Sequence, residues 1–283
     1  MDIIICVILK DYLISKKTIK YLRQNVVADT IYLLTPKHNF RFYSRNFRDK
    51  YQVVLIDEEE IVPHSQRIKE VASRHFTCEY RFGWYYQQFL KMNFALSQYA
   101  KEHYLIWDGD TIPLNRLTFL ENEKMIFTPK TEYHKSYFTT MKRILGYDKS
   151  VPYSFIAEHM IIDVAIMREL ISRIASSSIE GDTWYEKIIH ATNPNEPNSF
   201  SEFETYGTYC HINYNHRYTT KELRTFRDCG EKYSRLISKR HLNKLSEKYD
   251  TVSLEDWSIP KKIIPRFLNG AAQQYLSLLN RLL

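Results

Sequence analysis

The chain has 283 residues, 44% hydrophobic and 26% charged, with only 7 glycines and 9 prolines, which allows a sizeable core and excludes a fibrous or disordered chain. A net charge of +7 suits an anionic partner: nucleic acid, an anionic membrane surface or a phosphorylated small molecule. No apolar run approaches the ~20 residues of a bilayer span, and the four cysteines, Cys6, Cys78, Cys210 and Cys229, lack paired spacing, which argues against a zinc centre or disulfide framework and for a reducing compartment.

The first half of the chain alternates between two hydrophobic periods. "DIIICVIL" is a β-branched run read as a first strand rather than a signal peptide, because no basic region precedes it and no small-residue cleavage site follows. "KKTIKYLRQNV" has helical spacing, "TIYLLTP" and "YQVVLIDEEEI" read as strands, and "SQRIKEVASRHF" as a helix. "FGWYYQQFLKMNFALSQYAKE" predicts one long helix, and "YLIWDGD" a strand that stops abruptly at two acids. Strands alternating with helices predict an α/β fold: a mostly parallel central sheet with helices on both faces and ligands gathered at the strand carboxyl ends.

Beyond residue 115 the pattern loosens. "KMIFTP" reads as a strand and "HKSYFTTMKRILG" as a helix. "SFIAEHMIIDVAIMRELISRI" enters as a strand or turn and continues as a helix, and "DTWYEKIIHA" is helical. "NPNEPNSFSEFETYGTYC" begins as a loop and passes into an aromatic, acidic stretch. The expected organisation is a catalytic domain over 1–230 and a helical C-terminal extension over 231–283, whose tail "PKKIIPRFLNGAAQQYLSLLNRLL" is basic and amphipathic and suits packing on the domain or contact with a membrane surface. "RFYSRNFRDK" and "KRHLNKLSEK" concentrate further basic charge.

Four features carry candidate chemistry. Asp108 and Asp110 end an apolar strand one residue apart; such a carboxylate pair either holds Mg²⁺ or Mn²⁺, which then neutralises a diphosphate, or is an ordinary Asp-Gly turn. Arg81, Trp84, Gln88 and Lys91 recur at helical spacing, the cations suited to phosphates and Trp84 and Gln88 to a base or sugar; otherwise they form a solvated polar face. Glu158 and His159 interrupt an apolar run, as a structural pair or as a sugar contact or proton acceptor. Glu202 and Glu204 project to one side if the chain is extended there, and one of them can serve as a general base unless both are exposed loop acids. His211, His216 and His241 are available as a third metal ligand, and no nucleophilic triad, Walker loop or GxGxxG pattern is present.

In the segments "VILKDY", "WYYQQFLKM", "YLIWDGDTIPL" and "AEHMIID…FSEFETYG" the chain resembles GT-A-fold glycosyltransferases, and more closely bacterial enzymes of surface-polysaccharide (capsule or O-antigen) synthesis that include a group catalogued as a domain of unknown function. The resemblance spans about two thirds of the chain, from ~7 to ~207. It implies a nucleotide-sugar donor, often a UDP-sugar, and a divalent metal, Mn or Mg, at Asp108 and Asp110, with Asp110 foremost. It places donor contacts at Lys10, Asp11, Arg81, Trp84, Gln88, Lys91 and Trp107. It places sugar or acceptor reading at Glu158 and His159, and the base of an inverting displacement at Glu202 or Glu204. "SEFE" departs from the carboxylate pair many such enzymes carry at the start of a late helix, so base and stereochemistry stay open on this ground. The implied acceptor is a glycan or lipid-linked oligosaccharide, and the implied location is the cytoplasm, at the inner face of the membrane. Two other functions compete: a sugar-nucleotidyltransferase, disfavoured because "LKDYLISKK" lacks glycine, and a non-catalytic nucleic-acid or glycan binder, disfavoured for nucleic acid because the 22 tyrosines are spread along the chain.

Overall fold

The computed structural model describes residues 1–196, 198–254 and 274. In chain order it forms β1 (Asp2–Cys6), α1 (Tyr12–Asn25), β2 (Ile31–Thr35), α2 (Arg45–Tyr51), β3 (Val53–Asp57), α3 (Glu58–Ile61), α4 (Ser65–His75) and α5 (Phe82–Asn93). Then follow β4 (His103–Trp107), β5 (Thr111–Pro113), β6 (Leu120–Glu121), β7 (Lys124–Phe127), α6 (Lys135–Leu145), β8 (His159–Asp163), α7 (Val164–Ala175) and α8 (Trp184–Ala191). The described chain closes with α9 (Glu202–Tyr214), β9 (Tyr218–Thr220), β10 (Thr225–Phe226), α10 (Cys229–Tyr233), α11 (Lys239–Ser246) and β11 (Thr251–Ser253). The α/β class with a mostly parallel sheet and helices agrees with the sequence expectation.

The chain divides into two compact units. The first gathers residues 1–55, 107–118 and the C-terminal part from 222. Its main strands run in the order β3-β2-β1, and β1 pairs in parallel with β2, Ile4 opposite Tyr32. Ile3, Ile4 and Ile5 are all fully buried, which is why β1 reads as a continuous apolar run rather than an alternation. A second small sheet runs β10-β11-β5, with Val252 opposite Ile112 in an antiparallel pair. Ile14 of α1, Ile112, Leu242 of α11 and Val252 close one core there. Of the expected C-terminal extension, residues 231–254 thus carry α11 and β11, while 255–283, position 274 apart, lies outside the described residues together with the basic tail.

The second unit comprises residues 56–106 and 119–221. Here β4 neighbours β8, and a separate sheet runs β6-β7-β9. Helix α8 packs against α4, α6 and α7, and α5 against α9. The long helix expected from Phe82 stops at Asn93. Its apolar pattern continues, but the Ser97 N–H reaches Phe94 O at 3.0 Å, which tightens Phe94–Leu96 into a 3₁₀ turn and ends the helix. Among the described residues no helix is long and apolar enough to cross a membrane.

Candidate functional site

The acid pair lies in the first unit, on the turn that leaves β4. Trp107 is fully buried there, whereas Asp108 and Asp110 are half-exposed. Gly109 between them is a packing requirement: a Cβ added to it would stand 3.0 Å from Val7 Cγ1 and 3.4 Å from Ile5 Cγ2. The turn's backbone is pinned from two directions. Thr18 Oγ1 of α1 donates to Gly109 O at 2.9 Å, and the Leu254 N–H donates to Asp110 O at 2.9 Å. The carboxylates therefore project from a fixed main chain.

Trp107, read above as a donor contact, belongs instead to the core. With 0% exposure it offers no face to a ligand, and its indole N–H is used by Thr111 O at 2.7 Å. Lys10 and Asp11 form a 3₁₀ turn after β1, where Asp11 pairs with Arg235 at 3.0 Å. Beside them Tyr12, Thr35, Asn39, Phe42 and Tyr43 line a narrow recess. Asn39 is 2% exposed; its amide N–H donates to Thr35 Oγ1 at 3.1 Å, while its Oδ1 is buried with no hydrogen-bond partner among the described residues. The recess is closed: Thr35, Asn39, Phe42 and Tyr43 are all buried, and no room for a bound ring is left among them. Sequence reasoning missed this recess: its residues come from three separated segments, and no spacing rule links them.

The other candidates belong to the second unit. Glu202 and Glu204 are neither extended nor exposed: they occupy the first turn of α9, capped by Ser201, whose Oγ accepts from Glu204 N at 3.2 Å. In a helix, positions two apart diverge, and the two carboxylates reach different partners. Glu202 accepts from Lys91 Nζ at 2.9 Å, both side chains 7% exposed. Its N–H donates to Gln88 Oε1 at 3.0 Å, and Gln88 Nε2 donates to Trp84 O at 3.2 Å. The Trp84–Gln88–Lys91 face of α5 is therefore turned into the protein at Gln88 and Lys91, because it packs on the start of α9. The Lys91 ammonium, expected beside a diphosphate, instead balances Glu202 and lies 4.7 Å from the Phe203 ring centroid. Arg81 is exposed at the N-cap of α5.

Glu204 Oε2 accepts from Ser154 Oγ at 2.8 Å and from Phe155 N at 3.1 Å. Its Oε1 is buried with no hydrogen-bond partner among the described residues. Burial raises the carboxyl's pKa above its ordinary value, against the hydrogen bonds and the nearby Lys149 and His134. Glu158, 2% exposed, pairs with Lys130 at 3.3 Å, a partner the sequence did not mark because it follows a different strand. His159, read above as a sugar contact or proton acceptor, is a core residue. It is 2% exposed, shares a hydrogen bond with Thr128 Oγ1 at 3.0 Å and meets the Phe119 ring edge-on. Burial, helped by Lys130, depresses its pKa to about 3, so it is neutral near pH 7 and a weak base.

The histidines considered as third metal ligands have other placements: His211 Nδ1 lies 2.8 Å from Tyr218 Oη, His241 Nδ1 lies 3.0 Å from Ser238 Oγ, and His216 is exposed. Among the described residues no three His, Cys, Asp or Glu side chains converge as a metal set. Asp108 and Asp110 are hard oxygen donors of the type that Mg²⁺ or Mn²⁺ prefers.

Among solved structures, that of the galactosyltransferase LgtC with donor and acceptor sugar analogues superposes at TM-score 0.48 and 9% identity, over 98% of this chain and 95% of that one. Mouse xyloside xylosyltransferase 1 gives 0.49 and 9%, over 89% and 97%. The glycosyltransferase GlyE of Streptococcus pneumoniae TIGR4 gives 0.43 and 14%, over 97% and 59%. No curated protein matches the chain significantly. A family model does match, over residues 10–253. On that match, which takes in the acid turn and both buried carboxylate pairs, the chain belongs to DUF6492, a family of unknown function.

Proposed function

We propose that the chain is a metal-dependent glycosyltransferase of GT-A type that moves a hexose from a nucleotide sugar, a UDP-sugar by the resemblance, to a hydroxyl of a glycan or lipid-linked oligosaccharide in surface-polysaccharide synthesis. The observation that carries this reading is the Asp108–Gly109–Asp110 turn. Two half-exposed carboxylates end a wholly buried strand on a backbone pinned by Thr18 and Leu254. A divalent ion bound there would neutralise the charge that builds on a departing nucleoside diphosphate.

For the acceptor we place the base of an inverting displacement at Glu204, where burial raises the pKa and makes a stronger base than an ordinary carboxylate. The carboxyl is itself buried, so an acceptor hydroxyl reaches it only when the side chains over it move aside. Glu202, paired to Lys91, holds the α5 face in place. The rate gain would come mainly from positioning and fixed charge.

The test is a panel of nucleotide sugars with Mn²⁺ or Mg²⁺, following nucleoside diphosphate release. A metal-dependent response to a donor, lost in Asp110→Ala, upholds the reading. Pyrophosphate release from a nucleoside triphosphate and a sugar phosphate would replace it with nucleotidyl transfer. Stabilisation by nucleic acid alone would sink it.

A further inference from the structure

Arg235 reaches back to the end of β1, and the turn that carries it is strained. Ser234, directly after α10, has φ 68° and ψ 162°, a backbone region that is essentially reserved for glycine. It is fully buried and held in place. Its N–H donates to Gly230 O at 3.0 Å, and its Oγ accepts from the Leu236 N–H at 3.1 Å. The Ile237 N–H closes the turn on Ser234 O at 3.2 Å. Ile237 is anchored in the core with Ile14 and Leu242, and its carbonyl accepts from Lys17 Nζ of α1 at 2.6 Å. Strain of this kind persists only where the surroundings over-determine it, and it gathers at ligand clamps and switches.

The side chain this turn delivers is the Arg235 guanidinium. Its Nη1 lies 3.0 Å from Asp11 Oδ1 and 3.4 Å from Lys10 O. Asp11 follows the end of β1 at Val7, the side chain on which the Gly109 turn packs, so the pair shares that end of the strand with Asp108 and Asp110. The pair is open to a ligand: the Arg235 and Asp11 side chains are 15% and 21% exposed. A carboxylate has about four lone-pair sites, so one guanidinium contact does not exhaust it. Ionised, it accepts and never donates, which excludes a phosphate as its partner and suits hydroxyls. Two adjacent oxygens match two adjacent hydroxyls, and an acid in a parallel-sheet nucleotide fold commonly bonds a ribose in this way.

We propose that Arg235 is a positioning residue of the nucleotide site: it fixes the Asp11 carboxylate so that its oxygens accept the ribose hydroxyls of a nucleoside diphosphate. The proposal rests on the glycosyltransferase reading for its ligand, a nucleotide, but not for the transfer itself.

The experiment titrates the full chain with UDP, CDP, GDP and ADP in Mn²⁺ by calorimetry, then repeats the tightest binder in its 2′-deoxy and 3′-deoxy forms. Wild type should bind the ribonucleotide about tenfold more tightly than at least one deoxy form, the scale of one lost hydrogen bond to a charged group. Arg235→Gln, with a urea transition that is still cooperative, should weaken the ribonucleotide by about that factor and leave the deoxy form unmoved, so that the ratio falls to about one. Arg235→Lys, which keeps the charge, should retain part of the ratio. Asp11→Ala, which leaves Arg235 in place, should erase it. A merely structural pair would weaken both forms alike and keep the ratio, and that result overturns the proposal, as does failure of every nucleotide to bind. A ribose preference lost in Arg235→Gln without any donor turnover would uphold the positioning and sink the transferase; donor turnover with the preference untouched in that variant would do the reverse.

Discussion

Lys91 Nζ lies 2.9 Å from Glu202 Oε1, and each side chain is only 7% exposed. Two helices are joined by this pair, since α5 supplies the cation and the first turn of α9 the acid. Taking both charges out of water is costly, and removing one partner leaves the other buried and unmatched. Lys91→Met should therefore lower the unfolding free energy by about 3–5 kcal/mol, seen as a lower urea midpoint. Replacing both, as Lys91→Met with Glu202→Leu, should recover most of that loss. A single variant as stable as wild type would show that the pair is not closed in solution.

Gly207 makes a second claim about α9. A helix-interior glycine replaced by alanine ordinarily gains ~1 kcal/mol. Here the added Cβ would stand 2.2 Å from Phe155 Cγ and 2.5 Å from both Cδ atoms. Phe155 is fully buried and cannot swing away. Gly207→Ala should therefore destabilise, by about 1–3 kcal/mol as overpacking does, and Phe155→Leu in the same chain should return part of it. A stabilised Gly207→Ala would mean that the ring yields.

His159 predicts how stability depends on pH. Its folded pKa is about 3, well below its ordinary 6.5, because burial disfavours the imidazolium and Lys130 adds to that. Between those values the unfolded chain binds a proton that the folded chain does not, so this group's contribution is complete above pH 6.5 and falls as pH is lowered toward about 3. The slope reaches ~1.4 kcal/mol per pH unit for one proton. His159→Gln cannot titrate and should show a shallower acid limb than wild type in unfolding free energies measured across this window. Parallel limbs would mean that His159 is solvated or protonated when folded.

Much of the scaffold is legible in the sequence because burial writes itself as pattern. β1, β2, β4 and β8 are continuous apolar runs, since strands covered on both faces need no alternation. The same logic locates the acid pair, where such a run stops at Asp108. The start of α9 was also written there: Ser201 and Glu204 have the S-x-x-E spacing of a helix N-terminus, and the Ser201 cap is formed. An extended reading of Glu202 and Glu204 overlooked that signal. Other features have no local signature. The end of α5 depends on a 3₁₀ turn within unbroken apolar spacing, and the pairings Lys130–Glu158 and Asp11–Arg235 join residues far apart in the chain. Such contacts arise from tertiary packing, which one sequence does not display.

Asp110 gives the most direct test of the acid turn, because fold and function should separate there. The main chain of the turn is held through Gly109 O and Asp110 O, at 2.9 Å each, with no part played by the Asp110 carboxylate in either bond. The side chain is half-exposed. Asp110→Asn keeps its shape and both main-chain bonds of the turn while removing one negative charge, so the variant should still fold, read as a cooperative urea transition. If the turn binds a divalent ion, calorimetric Mn²⁺ affinity in the presence of a nucleoside diphosphate should fall, because the variant loses an anionic ligand. Donor turnover should then drop by about 10²-fold or more, the scale at which removing a preorganised electrostatic contact costs an enzyme. Unchanged Mn²⁺ affinity with unchanged turnover would leave the two acids as a solvated turn.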